Sequence, residues 1–323
     1  PRSLRSFGPG FESQLGRLPL RKDTSIRDAY PYPMMPELEA ILHRLRADRL
    51  SGASALAAHV CGPLRDFCER SQGRPIQHDL EEFALAVARA QPNMGSLWTL
   101  ANGILHRSAD ASSVASFCEA MAAHYPAAAA RIAEHVAPEV AGSRVLTTSS
   151  SSAVFHALVR ASATPGTSAV VCESRPLREG VLMARELGRM NVNVTVIADA
   201  AMALFSSEAA VGLVGADAVN KSGVVGKIGL AHLAMACEAR KMPLIVLADS
   251  TKFAPIPLSR DLRDPSELLD GVSPGLVAEN LYFEEVPFDQ ISAIYSERGR
   301  LSSDEAQRAV WGASVHPKLV HRL

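Results

Sequence analysis

Neither of the two common phosphate-cradling signatures occurs in this 323-residue chain: there is no Gly-x-Gly-x-x-Gly run and no Gly-x-x-x-x-Gly-Lys-Ser/Thr run. A standard dinucleotide fingerprint and a P-loop are thereby excluded. Cys-x-x-Cys and His-Glu-x-x-His are also missing, so no metal site of the usual zinc spacing is expected and no cofactor is implied. Cysteine is sparse. The five thiols, Cys61, Cys68, Cys118, Cys172 and Cys237, are odd in number and unpaired in spacing, which points to reduced cysteines rather than a disulfide framework. Charge of one sign is not in excess, with 33 basic against 34 acidic side chains; a dedicated nucleic-acid binder would carry a clear basic surplus. Every long apolar stretch is broken by charge well short of about 18 residues, so no membrane span is expected. No apolar segment follows the N-terminal arginines, so no secretory signal is read there. The expectation is a cytoplasmic protein without membrane or direct nucleic-acid partners.

What is present is a strong change of period. Residues 1–33 mix glycine, proline and charge without helical or strand spacing and are expected to form a partly ordered tail, the alternative being a loop that folds over a ligand site and lends it an arginine. From residue 34 to about 138 the pattern is helical. Leu38, Ile41, Leu42 and Leu45 fall on one helix face, as do Leu56, Ala57, Val60, Leu64 and Phe67, and then Leu80, Phe83, Ala84 and Val87. Cys61 and Cys68 share a face and are expected in the core. Two further helices are expected over Ser113–His124 and Pro126–His135. After about residue 139 short β-branched runs alternate with helical segments: Arg144–Thr148, Ala169–Cys172, Val194–Ile197, Val211–Val214 and Leu244–Leu247. Such alternation implies βαβ units and a parallel sheet covered on both faces. The fold class is therefore α/β, an N-terminal helical bundle (34–138) followed by a Rossmann-like parallel-sheet domain (139–323).

All five runs are followed by polar or ionisable residues, at the sheet edge where open parallel sheets bind ligands. Thr147 to Ser152 lead from the first strand into a helix, offering hydroxyls and backbone N–H groups at the positive end of a helix dipole; an N-cap with a polar linker is the plainer alternative. Asp217 follows Gly215-Ala216, and Lys227 is read as opening a helix. A carboxyl and a lysine there suit a phosphorylated, proton-exchanging substrate; a surface salt bridge or an N-cap is the plainer alternative. Glu173 with Arg175 is read as an anion clamp or an ion pair. Asp199 is read as a helix cap. Asp249 and Lys252 are left open, and His156 and His232 are assigned no role.

Six stretches in order carry a resemblance: Leu146–Ala153 (LTTSSSSA), Cys172–Glu179 (CESRPLRE), Val194–Ala201 (VTVIADAA), Val214–Gly229 (VGADAVNKSGVVGKIG), Asp249–Phe253 (DSTKF) and Asn280–Glu297. Together they resemble the superfamily of the regulatory subunits of translation initiation factor 2B, ribose-1,5-bisphosphate isomerase and methylthioribose-1-phosphate isomerase. Arg89-Ala90-Gln91-Pro92 is similar to its R-A-x-P segment. In the isomerases a cysteine in the serine-rich loop and the aspartate of the GAD segment open the sugar ring and move hydrogen between C1 and C2. By position these are Ser149 and Asp217, the expected catalytic pair. Thr148 stands at the family's histidine and Gly226 at its asparagine. Serine replaces a thiol of pKa about 8.5 by a much weaker acid. Ser150, Ser151, Ser152, Arg175, Gly226 and Lys227 are expected to hold the phosphorylated substrate. The resemblance implies a phosphorylated sugar or nucleotide ligand, a homodimer or higher oligomer, and either aldose-to-ketose conversion or, alternatively, non-catalytic ligand sensing.

Overall fold

The computed structural model describes residues 34–271 and 274–320; the tail expected over residues 1–33 lies outside them. Helix α1 (Pro36–Ala47) starts on a proline, carries Glu37 and Glu39 in its first turn and Arg44 and Arg46 in its last, and buries Leu38, Ile41, Leu42 and Leu45. Its charges complement the helix dipole at both ends. Helix α2 (Ala53–Arg70) buries the stripe from Leu56 to Cys68, with Cys61 and Cys68 both in the core. Helices α3 (Gln77–Ala90) and α4 (Gly95–Leu105) follow.

One expectation fails here. The two helices expected on either side of Tyr125 are one, α5 (Ala111–Val140), with Pro126 and Pro138 inside it. Proline removes one backbone hydrogen bond and crowds the preceding turn. Val114, Cys118, Met121 and Tyr125 before Pro126, and Ala129, Ile132 and Val136 after it, are buried along the same helix, and packing outweighs that local cost.

Strand β1 (Arg144–Thr147) opens the sheet. Helix α6 (Ser152–Ala161), β2 (Ser168–Cys172), α7 (Glu179–Arg189) and β3 (Asn193–Ile197) carry it to one edge. After a short helix, α8 (Met202–Phe205), the chain returns to β4 (Val211–Gly215) on the other side of β1. Strands β5 (Ala218–Val219), β6 (Gly223–Lys227), β7 (Leu244–Leu247), β8 (Phe283–Pro287), β9 (Ala293–Ser296) and β10 (Gly299–Leu301) complete the set, with α9 (Leu230–Arg240) between β6 and β7. The central sheet runs β10-β9-β7-β4-β1-β2-β3 and is parallel except at β10. Strands β5, β6 and β8 form a separate antiparallel sheet that the sequence pattern did not reveal. From Met35 onward the chain is one compact unit.

Both faces of the central sheet are covered. Val136, Val140, Leu158 and Leu187 pack on one face, and Leu233, Cys237, Val224 and Val286 on the other. The inner strands β4 and β7 are therefore apolar along their whole length instead of alternating, whereas the edge strand β3 is largely exposed.

The start of α7 lies tight against β2. A Cβ on Gly180 would sit 1.9 Å from the Cys172 carbonyl oxygen. Gly to Ala inside a helix ordinarily stabilises by about 1 kcal/mol. Gly180→Ala is expected to reverse that sign and cost about 1–3 kcal/mol by overpacking, read as a lower urea midpoint; a midpoint at or above wild type would contradict this close approach.

Candidate functional site

In the strand order β4-β1-β2 the chain reverses direction of winding between β1 and β4. Ligands in open parallel sheets settle in the crevice at such a point, outside the carboxyl ends of the strands. The serine loop leaves β1 and Asp217 leaves β4, so the two stretches flank the crevice. Gly215 allows their close approach: a Cβ there would meet Ser151 Oγ at 2.4 Å.

A cavity of about 490 Å³ opens at this place, lined by Ser51–Ala55, Thr148–Ser152, Gly215–Asp217, Lys227 and Lys252 among others. That volume is typical of a small-molecule site. It continues into a narrow recess of about 50 Å³ bordered by Arg49, Gln91, Ser149, Glu179, Arg263 and Tyr282.

The serine loop is held by backbone geometry. Ser149 has φ of 65°, a left-handed conformation uncommon for a non-glycine residue. Its N–H donates to Ser174 Oγ at 2.7 Å, and its hydroxyl donates to Glu179 Oε1 at 3.3 Å. Ser151 is the N-cap of α6, its hydroxyl accepting from Val154 N. Ser152 begins that helix, with no acidic residue in the first turn. Helix α2 also points its N-terminus at the cavity, behind an N-cap, Gly52, that makes no side-chain hydrogen bond. Two helix N-termini thus favour negative charge in the same space. At α2 the Asp217 carboxyl takes the Ala53 N–H; at α9 Glu284 already accepts from both Gly229 N and Ala231 N.

Asp217 is pinned by its backbone, its N–H donating to Val225 O and its carbonyl accepting from Gly95 N. Its half-buried side chain faces the cavity. Burial pushes the carboxyl above the ordinary aspartate value; Lys252, Lys227 and the Ala53 N–H pull it down, and Glu179 pushes it up. Burial outweighs the two lysines and the N–H, so the shift is toward the neutral form. Lys227 Nζ lies 3.0 Å from Glu179 Oε1 and 3.8 Å from the centre of the Tyr282 ring. Lys252 is buried beside Asp249 at 3.8 Å. In the recess Arg263 donates to Gln91 Oε1 at 2.6 Å, and Arg49 pairs with Glu267 at 2.7 Å.

Of the residues read from the sequence, Ser149, Ser150, Ser151, Ser152, Asp217 and Lys227 line one cavity. Arg175 is not among the residues that line it. Its guanidinium donates to the Glu267 carbonyl and its N–H to Asp199, and so ties loops together. Gly226 is not among the lining residues either; it sits in β6, where a Cβ would meet the cavity residue Leu230 at 2.9 Å. Asp199 caps no helix through its side chain, accepting instead from Ser174 N and Arg175 N. Glu173 pairs with Arg178 at 3.4 Å rather than with Arg175. Lys227 ends β6, and the helix starts only at Leu230, after Gly229 with φ of 103°.

The model of the initiation factor 2 subunit family matches residues 49–303. The chain belongs to this family. Among relatives within it, the ribose 1,5-bisphosphate isomerase of Archaeoglobus fulgidus is 26% identical over 84% of this chain and 92% of its own length. The methylthioribose-1-phosphate isomerase of Gemmatimonas aurantiaca is 30% identical over 93% of this chain and 95% of its own. The crystal structure of translation initiation factor eIF-2B from Pyrococcus horikoshii superposes with a TM-score of 0.74 at 28% identity, covering 84% of this chain and 98% of that one.

Within this family frame, several cavity residues were missed by sequence reasoning. Ser51–Ala53 reach the site only because α2 packs over the sheet edge. Arg263 and Gln91 meet in the recess across a separation of 172 residues. Glu179 was part of a recognisable stretch, but an acidic residue at a helix start is ordinarily just a complement to the dipole. No local signal marked it. Among the described residues, no group of three or more His, Cys, Asp or Glu is arranged to hold a metal ion, and no helix is long and apolar enough to cross a membrane.

Proposed function

We propose that this cavity binds a sugar carrying a 1-phosphate and converts the aldose to the ketose phosphate, with a ribose-1,5-bisphosphate type of substrate. The observation that carries the reading is Asp217: a carboxyl held toward its neutral form, facing a cavity on which two helix N-termini and a serine loop converge. Asp217 donates its proton to the ring oxygen as the bond between that oxygen and C1 breaks. The α2 and α6 N-termini, with Ser150–Ser152, receive phosphate oxygens. Lys227 and Lys252 balance the negative charge of substrate and carboxyls. Transfer of hydrogen from C2 to C1 then yields the ketose, and Asp217 regains its proton from the C2 hydroxyl. The reading includes a homo-oligomer as the working form, to be checked by light scattering.

One observation favours a second reading, binding without turnover. Ser149 occupies the place where the resemblance puts a catalytic thiol, and its hydroxyl donates to Glu179. Phosphorus NMR of the chain with ribose 1,5-bisphosphate separates the two. Appearance of a ketose bisphosphate resonance is the expected result. Absence of conversion across a panel of pentose and thiopentose 1-phosphates overturns the isomerase reading. If such a ligand still raises thermal stability (ligand at 100 times its Kd adds about 2.7 kcal/mol), the sensing reading takes its place.

A further inference from the structure

Glu179 is an anomaly in a cavity shaped for anions. It sits at the first turn of α7, and its side chain is only 7% exposed. One oxygen, Oε1, is engaged twice, by Lys227 Nζ at 3.0 Å and by the Ser149 hydroxyl at 3.3 Å. The other, Oε2, is buried and has no hydrogen-bond partner among the described residues. Buried carboxylate oxygens are ordinarily satisfied, and one left without a partner calls for an explanation, a catalytic role among them. The residue borders the recess together with Ser149, Asp217 and Lys227.

The reaction needs two proton-handling groups with different tasks. One gives a proton to the ring oxygen, the task given above to Asp217, which lines the cavity. The other must take a hydrogen from carbon and return it, which requires a base. Ser149 is poorly suited, since a hydroxyl holds its proton far more tightly than a thiol and this one already donates to Glu179. The carboxylate it donates to is the available base, and the lysine beside it holds that carboxylate in place.

Resting on the isomerase reading above, we infer that Glu179 is the group that carries hydrogen between C2 and C1, standing in for the thiol that Ser149 lacks. After the ring opens, C1 is an oxocarbenium centre bearing the phosphate oxygen. Glu179 removes the C2 hydrogen as a proton, and the C2–H electron pair becomes the second bond between C1 and C2. The C2 hydroxyl then returns its proton to Asp217, its O–H pair forms the C2 carbonyl, and the C1–C2 double-bond pair takes the proton back from Glu179 at C1. Both carboxyls end as they began, and no oxidant or reductant is used. Ser149 is a positioning residue, orienting Glu179 through its hydroxyl.

The test uses the full chain and ribose 1,5-bisphosphate. Glu179→Gln is expected to lower kcat by about 10²–10⁴-fold, the range of a general base, while KM changes little. Added formate is expected to restore part of the activity of Glu179→Ala, which a merely structural role would not allow. Ser149→Ala is expected to fall less far than Glu179→Gln. On the wild-type chain, independent of how the variants fold, glycidol phosphate (an epoxide that esterifies an attacking carboxylate) is expected to label Glu179, and the substrate to protect it. Wild-type turnover with Glu179→Gln equally active, or with no label on Glu179, overturns this assignment alone. Absence of wild-type turnover overturns the isomerase reading and this assignment with it.

Discussion

Replacing Asp217 by asparagine is expected to lower turnover of an aldose 1-phosphate by about 10²–10⁴-fold, the contribution of a positioned general acid. The change keeps shape and removes the proton. Asparagine still accepts the Ala53 N–H that the carboxyl accepts now, so ligand binding is expected to persist. The pH dependence has a definite sign. The native carboxyl lies above the ordinary value of 3.8, chiefly through burial. Wild-type activity that depends on the neutral form should therefore decline as pH rises through that native value, and the decline should vanish in the residual activity of Asp217→Asn. Stability follows by linkage. A carboxyl whose native pKa is raised contributes fully below its unfolded value, and that contribution is lost as pH rises through the native one. Above the native value, Asp217→Asn should be at least as stable as wild type in urea. A variant that turns over at the wild-type rate, or that loses stability at high pH relative to wild type, would contradict the role given to this carboxyl.

Lys227→Met is expected to be the most destabilising change at the site. Its ammonium lies 3.0 Å from Glu179, and the two side chains are 10% and 7% exposed. Removing one partner of a buried pair leaves the other charge uncompensated, at a cost of about 3–5 kcal/mol. Contact with the Tyr282 ring at 3.8 Å adds a cation–π contribution of about 0.5–2 kcal/mol that is lost as well. The paired replacement Lys227→Met with Glu179→Gln should recover most of the first loss, because it removes both charges together. Four urea denaturation curves complete the double-mutant cycle. Additive losses, with no coupling between the two positions, would show that the pair does not hold these elements together.

The helical half was legible because its signal is local. Leu38, Ile41, Leu42 and Leu45 state one buried face by spacing alone, and the structure buries all four. Five of the six parallel strands were legible for the same reason, since an uninterrupted apolar run such as Leu244–Leu247 fits a strand covered on both sides; β9 was not read. Local signals also misled. Pro126 reads as a helix end, yet α5 passes through it because a long buried stripe on either side outweighs one lost hydrogen bond. Lys227 reads as a helix start, yet β6 runs to it because β8 pairs alongside, with Lys227 opposite Phe283. Glu173 and Arg175, beside a strand end, have the composition of an anion clamp or an ion pair, yet Glu173 pairs with Arg178 and Arg175 donates to the Glu267 carbonyl.

The amino-acid order alone determined the α/β class, the change of period near residue 140 and the placing of polar residues after five of the six parallel strands, since each depends on neighbours a few positions apart. It also brought Ser149 and Asp217 forward as candidates. Only the tertiary structure decided which of those residues share a space. Strand β4 lies beside β1 and not beside β3, which sets the serine loop against Asp217. The same packing brings Glu179 to Lys227 and Ser149, across separations that no periodicity encodes. Burial then sets the chemistry. A carboxyl's protonation depends on what surrounds it in three dimensions, and at this cavity those surroundings come from α2, α7, β6 and the turn carrying Lys252.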